Sequence, residues 1–452
     1  MAKLFGTDGV RGVANQYPMT AEFALSLAKA CATLICQQKQ KVLIAKDTRI
    51  SGDMLESALT AGFTAQGVDV VRLGVLPTPA LTSLAVDFDA DMAVMITASH
   101  NPYTDNGIKL LNGQGDRFDD KIIEQLESLV ERNTFEPSNK LGRVSDVKNP
   151  EQAYMERAAK VLNGQKLTGL RVVLDCANGA FSKIMPEVFM KLGAGVITIG
   201  NHPDGCNINK DCGSQHTELL ATTVRDSHAQ MGIAVDGDGD RIIICDENGT
   251  RLDGDQIIAF LAQTLHAQNR LRQNCVVATI MSNIALDKYL ESLGVTTHRS
   301  LVGEKNVILK MRELGANLGG EESGHMVLSD FSRTGDGMVT ALTVALGFLQ
   351  SGKKMSEIFP VFQPYPCAEV DTFFADKAEL LDASQNPEIL TKVEQVRQML
   401  GADGNVIFRK SGTEPLIKVK ITGVDYENIK QLNEQIRAMF AKYQIAKTRV
   451  VK

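Results

Sequence analysis

Three features that would point to particular partners or compartments are missing from this sequence. It has no polybasic run, and its 48 basic residues are outnumbered by 54 acidic ones, for a net charge of −6, so no nucleic-acid partner is expected. No apolar stretch reaches the roughly 18 to 20 residues that span a bilayer, and no charged-then-apolar leader occurs at residues 1–4. We therefore expect no membrane partner and a cytoplasmic location.

The third missing feature is a Cys-x-x-Cys pair. The eight cysteines are scattered, and Cys245 follows the apolar run Ile242-Ile243-Ile244 as it would inside a strand. Reduced thiols fit this pattern better than disulfide bonds or zinc ligands. The oligomeric state stays open between a monomer and a homodimer.

An internal repeat organises most of the chain. Three times a strand-like run leads through a polar turn and a helical stretch to a second strand: 42–45 to 66–74, 171–175 to 192–200, and 275–278 to 293–303. Such βαβ units build parallel sheets, so three related α/β domains are predicted. The last region differs and predicts a small α+β domain, with strands near 405–408 and 416–422 and helices near 388–400 and 425–442.

The length supports the same division. A chain of 452 residues is too long for one hydrophobic core and suggests about three or four domains. We predict domains at 1–152, 153–254, 255–367 and 368–452. The expected fold class is α/β, with three related βαβ-based mixed-sheet domains and a smaller C-terminal α+β domain.

The most informative stretch is Ile96-Thr97-Ala98-Ser99-His100-Asn101-Pro102. An apolar strand at 91–96 ends there and the Asn-Pro step forces a turn, which predicts Ser99 at the exposed carboxyl end of a sheet. Open α/β sheets bind their ligands at that edge. The alternative is an ordinary Ser/His/Asn loop that satisfies its own backbone.

A second segment, Asp236-Gly237-Asp238-Gly239-Asp240-Arg241, follows the strand-like residues 231–235. Three carboxylates at alternate positions converge only around a cation, and oxygen ligands of this kind suit Mg²⁺. A calcium loop is the competitor, because Glu247 falls at the twelfth position. Arg241 nevertheless occupies the place of the required glycine, and strand-like flanks replace the helices of an EF-hand. A turn of solvated aspartates is the other alternative.

Two further segments carry groups suited to sugars and phosphates. Gly319-Gly320-Glu321-Glu322-Ser323-Gly324-His325 offers carboxylate, hydroxyl and imidazole groups for sugar hydroxyls, although a charged surface loop has the same composition. Arg409-Lys410-Ser411-Gly412-Thr413-Glu414-Pro415 combines two cations, two hydroxyls and a glycine, which together suit a phosphate dianion.

In this order and spacing, the four segments resemble the α-D-phosphohexomutase superfamily. The opening Leu4-Phe5-Gly6-Thr7-Asp8-Gly9-Val10-Arg11-Gly12, the segment Asp47-Thr48-Arg49-Ile50-Ser51-Gly52 and the chain length make it most similar to the bacterial phosphoglucosamine mutase branch. The resemblance covers essentially the whole chain. It implies four domains around a central cleft, and an isomerase that interconverts glucosamine 6-phosphate and glucosamine 1-phosphate, feeding UDP-N-acetylglucosamine synthesis.

The resemblance also assigns roles to residues. Ser99 would carry a covalent phosphate and would bind Mg²⁺ together with Asp236, Asp238 and Asp240. The expected sugar ligands are Glu321 and Ser323, and the non-reacting phosphate would be bound by Arg409, Ser411, Gly412 and Thr413. A sugar 1,6-bisphosphate is the expected intermediate and activator, since a phosphoenzyme divides one transfer between distant hydroxyls into two in-line transfers.

Each transfer needs a general acid and a general base. By resemblance Lys109 and His100 are favoured, with His325 as the candidate from the third domain; a surface lysine and a solvated loop histidine are the alternatives for the first two. Arg11 is expected to stabilise the phosphoryl group, while Arg49 and Arg241 either assist it or hold neighbouring loops. At least one arginine is expected to be purely structural.

Two departures concern the sugar side. Val302-Gly303-Glu304-Lys305-Asn306-Val307 replaces an acidic, basic and aromatic run, and Glu322 stands where an amide is expected. A phosphoglucomutase or phosphomannomutase acting on neutral hexose phosphates therefore remains the main alternative. A phosphoserine phosphatase-type hydrolase and a non-enzymatic metal-binding module are the others.

Overall fold

The structure, a computed structural model, describes residues 4–6, 9–410, 416–441 and 444–451. These residues form four β-sheets in chain order. Within the described ranges, no helix combines the length and the apolar character that crossing a bilayer would require.

The first sheet has six strands in the order β1-β5-β4-β2-β3-β6. Strand β2 pairs in parallel with β3 and β4, and β5 adds an antiparallel strand beside β4. The elements are β1 (Val10–Val13), α1 (Ala21–Leu34), β2 (Lys41–Lys46), α2 (Gly52–Ala65), β3 (Asp69–Val75), α3 (Thr78–Asp87), β4 (Met92–Ile96), β5 (Asp105–Asn112), α4 (Asp120–Arg132) and β6 (Val144–Asp146).

The second sheet repeats the central pattern of the first. Strand β7 pairs in parallel with β8 and β9, and β10 continues antiparallel to β9, in the order β11-β10-β9-β7-β8. The elements are α5 (Glu151–Ala159), β7 (Arg171–Asp175), α6 (Ile184–Lys191), β8 (Gly195–Ile199), α7 (Glu218–Asp226), β9 (Met231–Val235), β10 (Ile242–Asp246) and β11 (Arg251–Leu252).

The third sheet shows the pattern once more, in the order β13-β12-β14-β15, with only the last pair antiparallel. The elements are α8 (Gly254–Ala267), β12 (Cys275–Thr279), α9 (Ile284–Ser292), β13 (Thr296–Ser300), α10 (Glu304–Leu314), β14 (Leu318–Gly320), β15 (Met326–Leu328), α11 (Gly337–Ser351) and α12 (Met355–Ile358). The predicted repeat of three related mixed-sheet units is confirmed.

The fourth sheet is antiparallel throughout, in the order β17-β18-β16-β19. Its elements are β16 (Cys367–Phe373), α13 (Lys377–Gln385), α14 (Pro387–Leu400), β17 (Gly404–Lys410), β18 (Leu416–Gly423), α15 (Tyr426–Met439) and β19 (Gln444–Val451). The α+β class agrees with the prediction, which contained β17, β18, α14 and α15 but lacked the other three elements.

The first three units share a hydrophobic core, and the fourth unit has a separate one. One continuous core runs from Leu43 and Leu81 under the first sheet, past Leu174 under the second, to Phe348 beside the third. The fourth sheet packs its helices on a separate core around Val370, where β16 alternates buried and half-buried residues. The first three units therefore form a common apolar body, and the fourth has an independent core.

Candidate active site

Ser99 lies in the loop that joins β4 to β5, beyond the carboxyl end of β4. Its backbone is left-handed, with φ at +53°, and its N–H donates to Thr97 Oγ1 at 2.9 Å. The carbonyl of Ser99 accepts hydrogen bonds from Arg49 Nη2 and Asn209 Nδ2, both at 2.9 Å. A non-glycine residue holds this conformation only where its surroundings determine it, as these hydrogen bonds do.

The sequence predicted Ser99 at the exposed carboxyl end of a sheet. The residue does lie beyond the end of β4, but the expected exposure is wrong, because only 1% of its surface is exposed. The loop 236–241 between β9 and β10 covers it. A Cβ on Gly237 would lie only 2.7 Å from the Ser99 carbonyl oxygen, so glycine is needed where the two loops touch. Burial keeps the serine hydroxyl away from bulk water.

The three aspartates of that loop converge. One carboxylate oxygen from each of Asp236, Asp238 and Asp240 lies within 4.8 Å of the other two, and all three residues are buried. Ser99 Oγ donates to Asp236 Oδ2 at 2.7 Å. Asp238 Oδ1 and Asp240 Oδ1 are buried and have no hydrogen-bond partner within the described part of the chain. Carboxylate oxygens in this state suit a hard cation such as Mg²⁺.

The pKa shifts of the triplet also favour a bound cation. Burial, together with the charges of Asp240 and Asp238, raises the pKa of Asp236 to about 8. Burial acts against ionised Asp240 as well, but Lys109 and His325 outweigh it and hold the pKa of this carboxyl well below its usual range. Three buried carboxylates cannot all ionise without added positive charge.

The calcium-loop alternative does not fit the structure. Strands β9 and β10, not helices, flank the triplet. Glu247 Oε2 accepts a hydrogen bond from the backbone N–H of Ser356 at 3.1 Å and is not part of the triplet.

Lys109 is a buried site residue, and the surface-lysine alternative is wrong. It lies on β5 with no exposed surface, and its Nζ donates to Asp238 Oδ2 at 2.7 Å and Asp240 Oδ2 at 3.0 Å. Its ammonium group thus supplies part of the positive charge that the triplet requires.

The imidazoles of His100 and His325 have opposite charge states. His100 Nδ1 lies 3.3 Å from Ser99 Oγ, and burial, with the nearby Arg241 and Arg11 charges, lowers its pKa to about 3. The ring is therefore neutral at physiological pH. Burial also disfavours the imidazolium of His325, but Asp240 and Glu304 prevail and raise its pKa well above the ordinary value.

His325 connects the third unit to the loop 236–241. It is the last residue of the 319–325 segment between β14 and β15, with Nε2 at 3.4 Å from Asp240 Oδ2 and Nδ1 at 3.4 Å from Glu321 Oε2. An isolated bridge pairs it with Arg241, and the Ile242 N–H donates to the Gly324 carbonyl at 3.0 Å. The predicted sugar loop therefore lies directly against the aspartate loop.

The two glutamates of the sugar loop have separate partners. Glu321 is buried, and its Oε1 accepts from the Gly303 N–H at 2.9 Å. Glu322 pairs with Lys420 of the fourth sheet. Ser323, next along the loop, is half-buried.

The arginines differ in their contacts. Arg49 is buried and bonds Asp47 Oδ2 at 2.9 Å as well as loop carbonyls, which is the geometry of a loop-holding residue. Arg11 Nη1 donates to the Ala98 carbonyl at 3.2 Å. For Arg241 it is the backbone N–H that donates to Asp236 Oδ1, at 3.2 Å.

The fourth predicted segment is only partly described. Arg409 lies near the end of β17, and its buried Nε finds no hydrogen-bond partner among the described residues. Ser411, Gly412 and Thr413 lie outside the described residues.

The unusual 302–307 segment bridges the first and third units. Glu304 Oε1 accepts from the Gly335 N–H at 2.7 Å, and Glu304 Oε2 lies 3.3 Å from Arg117 Nη2. Lys305 Nζ pairs with Asp120 Oδ1 at 2.8 Å beside a cavity of about 410 Å³. These side chains act between units, through contacts that the sequence does not reveal.

Sequence reasoning missed two polar residues of the site. Thr78 hydrogen-bonds Asp238 through its hydroxyl, and its N–H donates to the Asp238 carbonyl at 2.9 Å. Asn209 Nδ2 reaches both the Ser99 and the Asn101 carbonyls. The position of Thr78 just after β3, at the same sheet edge as Ser99, is a signal that could have identified it.

Fold and site together define a multidomain α/β protein with a buried serine, an aspartate triplet and cations, the groups that phosphoryl transfer needs. Profiles of the phosphoglucomutase/phosphomannomutase family match four successive parts of the chain: alpha/beta/alpha domain I at 2–137, domain II at 152–249, domain III at 253–365 and the C-terminal domain at 373–439. The chain belongs to this family, within the α-D-phosphohexomutase superfamily that its motifs resemble.

Individual relatives cover nearly the whole chain. It is 44% identical over 447 residues to a phosphoglucosamine mutase of Caldicellulosiruptor bescii, covering 97% of this chain and 99% of the relative. It is 45% identical over 428 residues to one from Mesorhizobium japonicum, covering 93% and 94%. Among solved structures, a phosphoglucomutase/phosphomannomutase family protein of Burkholderia thailandensis matches with a TM-score of 0.82 at 23% identity, covering 98% of this chain and 99% of that one.

Proposed function

We propose that this chain is a phosphoglucosamine mutase, which interconverts glucosamine 6-phosphate and glucosamine 1-phosphate through phosphorylated Ser99 and glucosamine 1,6-bisphosphate. The observation that carries the chemistry is the buried Ser99 hydroxyl, 2.7 Å from the Asp236 carboxylate. The observation that favours this sugar is the similarity, over almost the whole chain, to proteins of that name.

In the first transfer, the free hydroxyl of the sugar monophosphate attacks the phosphorus on Ser99. The bond from phosphorus to Ser99 Oγ breaks and a bond to the sugar oxygen forms. The proton of the sugar hydroxyl passes to a base, and Ser99 Oγ takes a proton from an acid. After the bisphosphate turns around, Ser99 takes the other phosphoryl group by the reverse step. The burial of Ser99 limits loss of this group to water.

The aspartates fit a divalent cation, because two of their buried oxygens have no other partner among the described residues. Asp236, Asp238 and Asp240 would hold Mg²⁺ together with an oxygen of the Ser99 phosphate. When bound, Mg²⁺ supplies positive charge against the charge that develops during transfer.

The geometry favours a division of acid and base roles. His100 Nδ1 lies 3.3 Å from Ser99 Oγ, within reach of the serine proton. Lys109 donates to the carboxylates of Asp238 and Asp240, where its ammonium group would stabilise the transferring group. His325 is cationic and can donate a proton from the third unit.

The fourth unit would hold the phosphate that is not reacting. Arg409 offers a buried Nε–H. With Ser411, Gly412 and Thr413 it would form charge-assisted hydrogen bonds whichever way the sugar lies. With the domain boundaries that we propose, at 152, 254 and 367, this loop would belong to a separate unit, as a lid requires.

Neutral hexose phosphates are the second candidate substrates, and one observation favours them. The Glu321 and Glu322 carboxylates are already balanced by His325 and Lys420, which leaves less negative charge for a 2-ammonium group. We expect Glu321 to contact the ring with Ser323 beside it, and discrimination over glucose phosphate to be about tenfold to a hundredfold.

The test measures kcat/KM side by side for glucosamine 6-phosphate, glucose 6-phosphate and mannose 6-phosphate, together with the intact mass of the purified chain. The highest value for glucosamine 6-phosphate and a phosphate adduct on Ser99 support the proposal. A higher value for a neutral hexose reassigns the substrate. Release of inorganic phosphate faster than isomerisation would make the chain a hydrolase.

A further inference from the structure

The chain is fixed to the third unit until just before the fourth sheet begins. Gln256 Oε1 accepts from the Val361 N–H at 2.7 Å, and its Nε2 donates to the Phe362 carbonyl at 3.0 Å. Asn283 holds both backbone groups of Tyr365 in the same way, at 3.2 and 2.9 Å. A rotation of the fourth sheet against the third unit must therefore occur after Tyr365.

Beyond that point, Lys420 makes a polar contact across the boundary. It lies on β18 with 5% of its surface exposed. Its Nζ donates to the Met281 carbonyl at 2.8 Å and pairs with the Glu322 carboxylate, both of which belong to the third unit. Glu369, on its own sheet, lies farther away, with Oε1 at 3.9 Å.

The surroundings make this cation difficult to remove. The Asp255 carboxyl is buried nearby, and burial, with Asp253 and Glu322, raises its pKa to about 7. Without Lys420, the acidic groups at this boundary face one another. A neutral residue in place of Lys420 thus leaves Glu322 half-buried and unpaired, which is costlier than removing both partners.

Lys420 is also close in the fold to both predicted substrate loops. Its partner Glu322 adjoins Glu321 of the sugar loop. On β17 its register neighbour is Ile407, two residues before Arg409 and thus about 7 Å away along the strand.

We infer that Lys420 is a positioning residue for the proposed reaction: with Glu322 it fixes Arg409, on β17 of the fourth sheet, relative to Glu321 of the sugar loop. The inference rests on the proposed function. Neither side chain needs to touch the reacting atoms, because the pair acts through the loops next to it.

The experiment compares Lys420→Met, Glu322→Gln and the double variant on glucosamine 6-phosphate. Each single change should raise KM about tenfold and leave kcat within about twofold, because the non-reacting phosphate is bound alike in ground and transition states. The double variant should raise KM no further than the worse single variant, since each single change already removes the pair.

The matched control is Lys418→Met with Asp371→Asn. Lys418 lies two residues before Lys420 on β18, with its Nζ 3.4 Å from Asp371 Oδ2 on β16, so both members of this pair belong to the fourth sheet. Its variants should change KM less than twofold. An unchanged KM in Lys420→Met, strictly additive effects in the double variant, or an equal effect in the control pair would overturn the inference.

A wild-type chain that turns over no sugar phosphate would refute the proposed function, and the pair can still be tested. The contact is then measured by the urea denaturation midpoints of the wild type, Lys420→Met, Glu322→Gln and the double variant of these two changes. A double variant no less stable than the weaker single variant supports the pair, and additive losses overturn it.

Discussion

Replacing Arg49 with lysine should separate loop positioning from phosphate chemistry. The Arg49 side chain is fully buried, and its Nε donates to Asp47 Oδ2 at 2.9 Å. Its two terminal nitrogens reach backbone carbonyls on the serine loop: Ser99 at 2.9 Å, Asn101 at 2.8 Å and Asp105 at 3.0 Å. One planar group thus holds both sides of the loop.

The magnitude follows from these contacts. A lysine ammonium has three donors at one point and cannot reach both the Asp47 carboxylate and carbonyls spread along the loop. We expect at least two buried acceptors to lose their donors, at about 1 to 3 kcal/mol each. The left-handed conformation of Ser99, which itself costs about 1 to 2 kcal/mol, also loses its support. The two lost hydrogen bonds should lower the free energy of unfolding by about 2 to 6 kcal/mol.

The assay combines urea unfolding with steady-state kinetics on glucosamine 6-phosphate. Arg49→Lys should lower kcat at least tenfold with a small change in KM, because Ser99 Oγ moves while the phosphate loop does not. The control is Arg72→Lys on β3, where Arg72 Nε lies 2.8 Å from an exposed Asp146 carboxylate. Equal stability and equal kcat in the two variants would refute the loop-holding role.

The remaining predictions concern the chemistry and the pH dependence of stability. Ser99→Ala should fold normally, lose nearly all mutase activity and show no phosphate adduct by mass spectrometry; an adduct on another residue would contradict the assignment. Asp238→Asn should weaken magnesium activation and cut kcat by orders of magnitude, and an unchanged magnesium titration would mean that the triplet binds no catalytic ion. Burial raises the pKa of Asp336 to about 6, above its unfolded value, so the contribution of Asp336 to stability should be greatest at low pH and should fall by up to about 3 kcal/mol between roughly pH 4 and pH 6. Asp336→Asn should flatten this part of the profile, since an amide oxygen can still accept from Tyr154 Oη and from the first turn of α11; an unchanged slope in urea unfolding would exclude Asp336 as its source.

Much of the fold was predictable because its signals are local. Each βαβ repeat is contained in about 30 residues, and the hydrophobic strands β4, β9 and β12 are bounded by clear turns. Strand β16 was missed although its alternating burial is typical of a half-buried strand. The alternation is blurred in the sequence because the apolar Cys367 and Phe373 lie on the half-buried face and the polar Thr372 lies on the buried face.

The site was predictable only as far as its groups lie at strand ends. Ser99 follows β4 of the first sheet and the aspartate triplet follows β9 of the second, so each could be predicted at the carboxyl end of its own strand. Their burial was not predictable, because it depends on two loops from different units meeting at Gly237. The loops can approach closely only where a side chain is absent, and no local pattern states which glycine of Asp236–Asp240 serves that contact.

Contacts between units explain why the sugar preference is the hardest property to derive from the sequence. Glu321 and Glu322 are adjacent in the chain and chemically alike, yet one pairs with His325 at i+4 and the other with Lys420, 98 residues away. Whether either carboxylate can attract a 2-ammonium group depends on the charge that its partner leaves uncompensated. If opening of the fourth unit withdraws Lys420, the negative charge of Glu322 is left uncompensated and can attract an arriving amino sugar. Closure brings Lys420 back and compensates that charge again. Selectivity for glucosamine phosphate should then be expressed mainly in substrate capture, and should weaken with rising ionic strength more than kcat does.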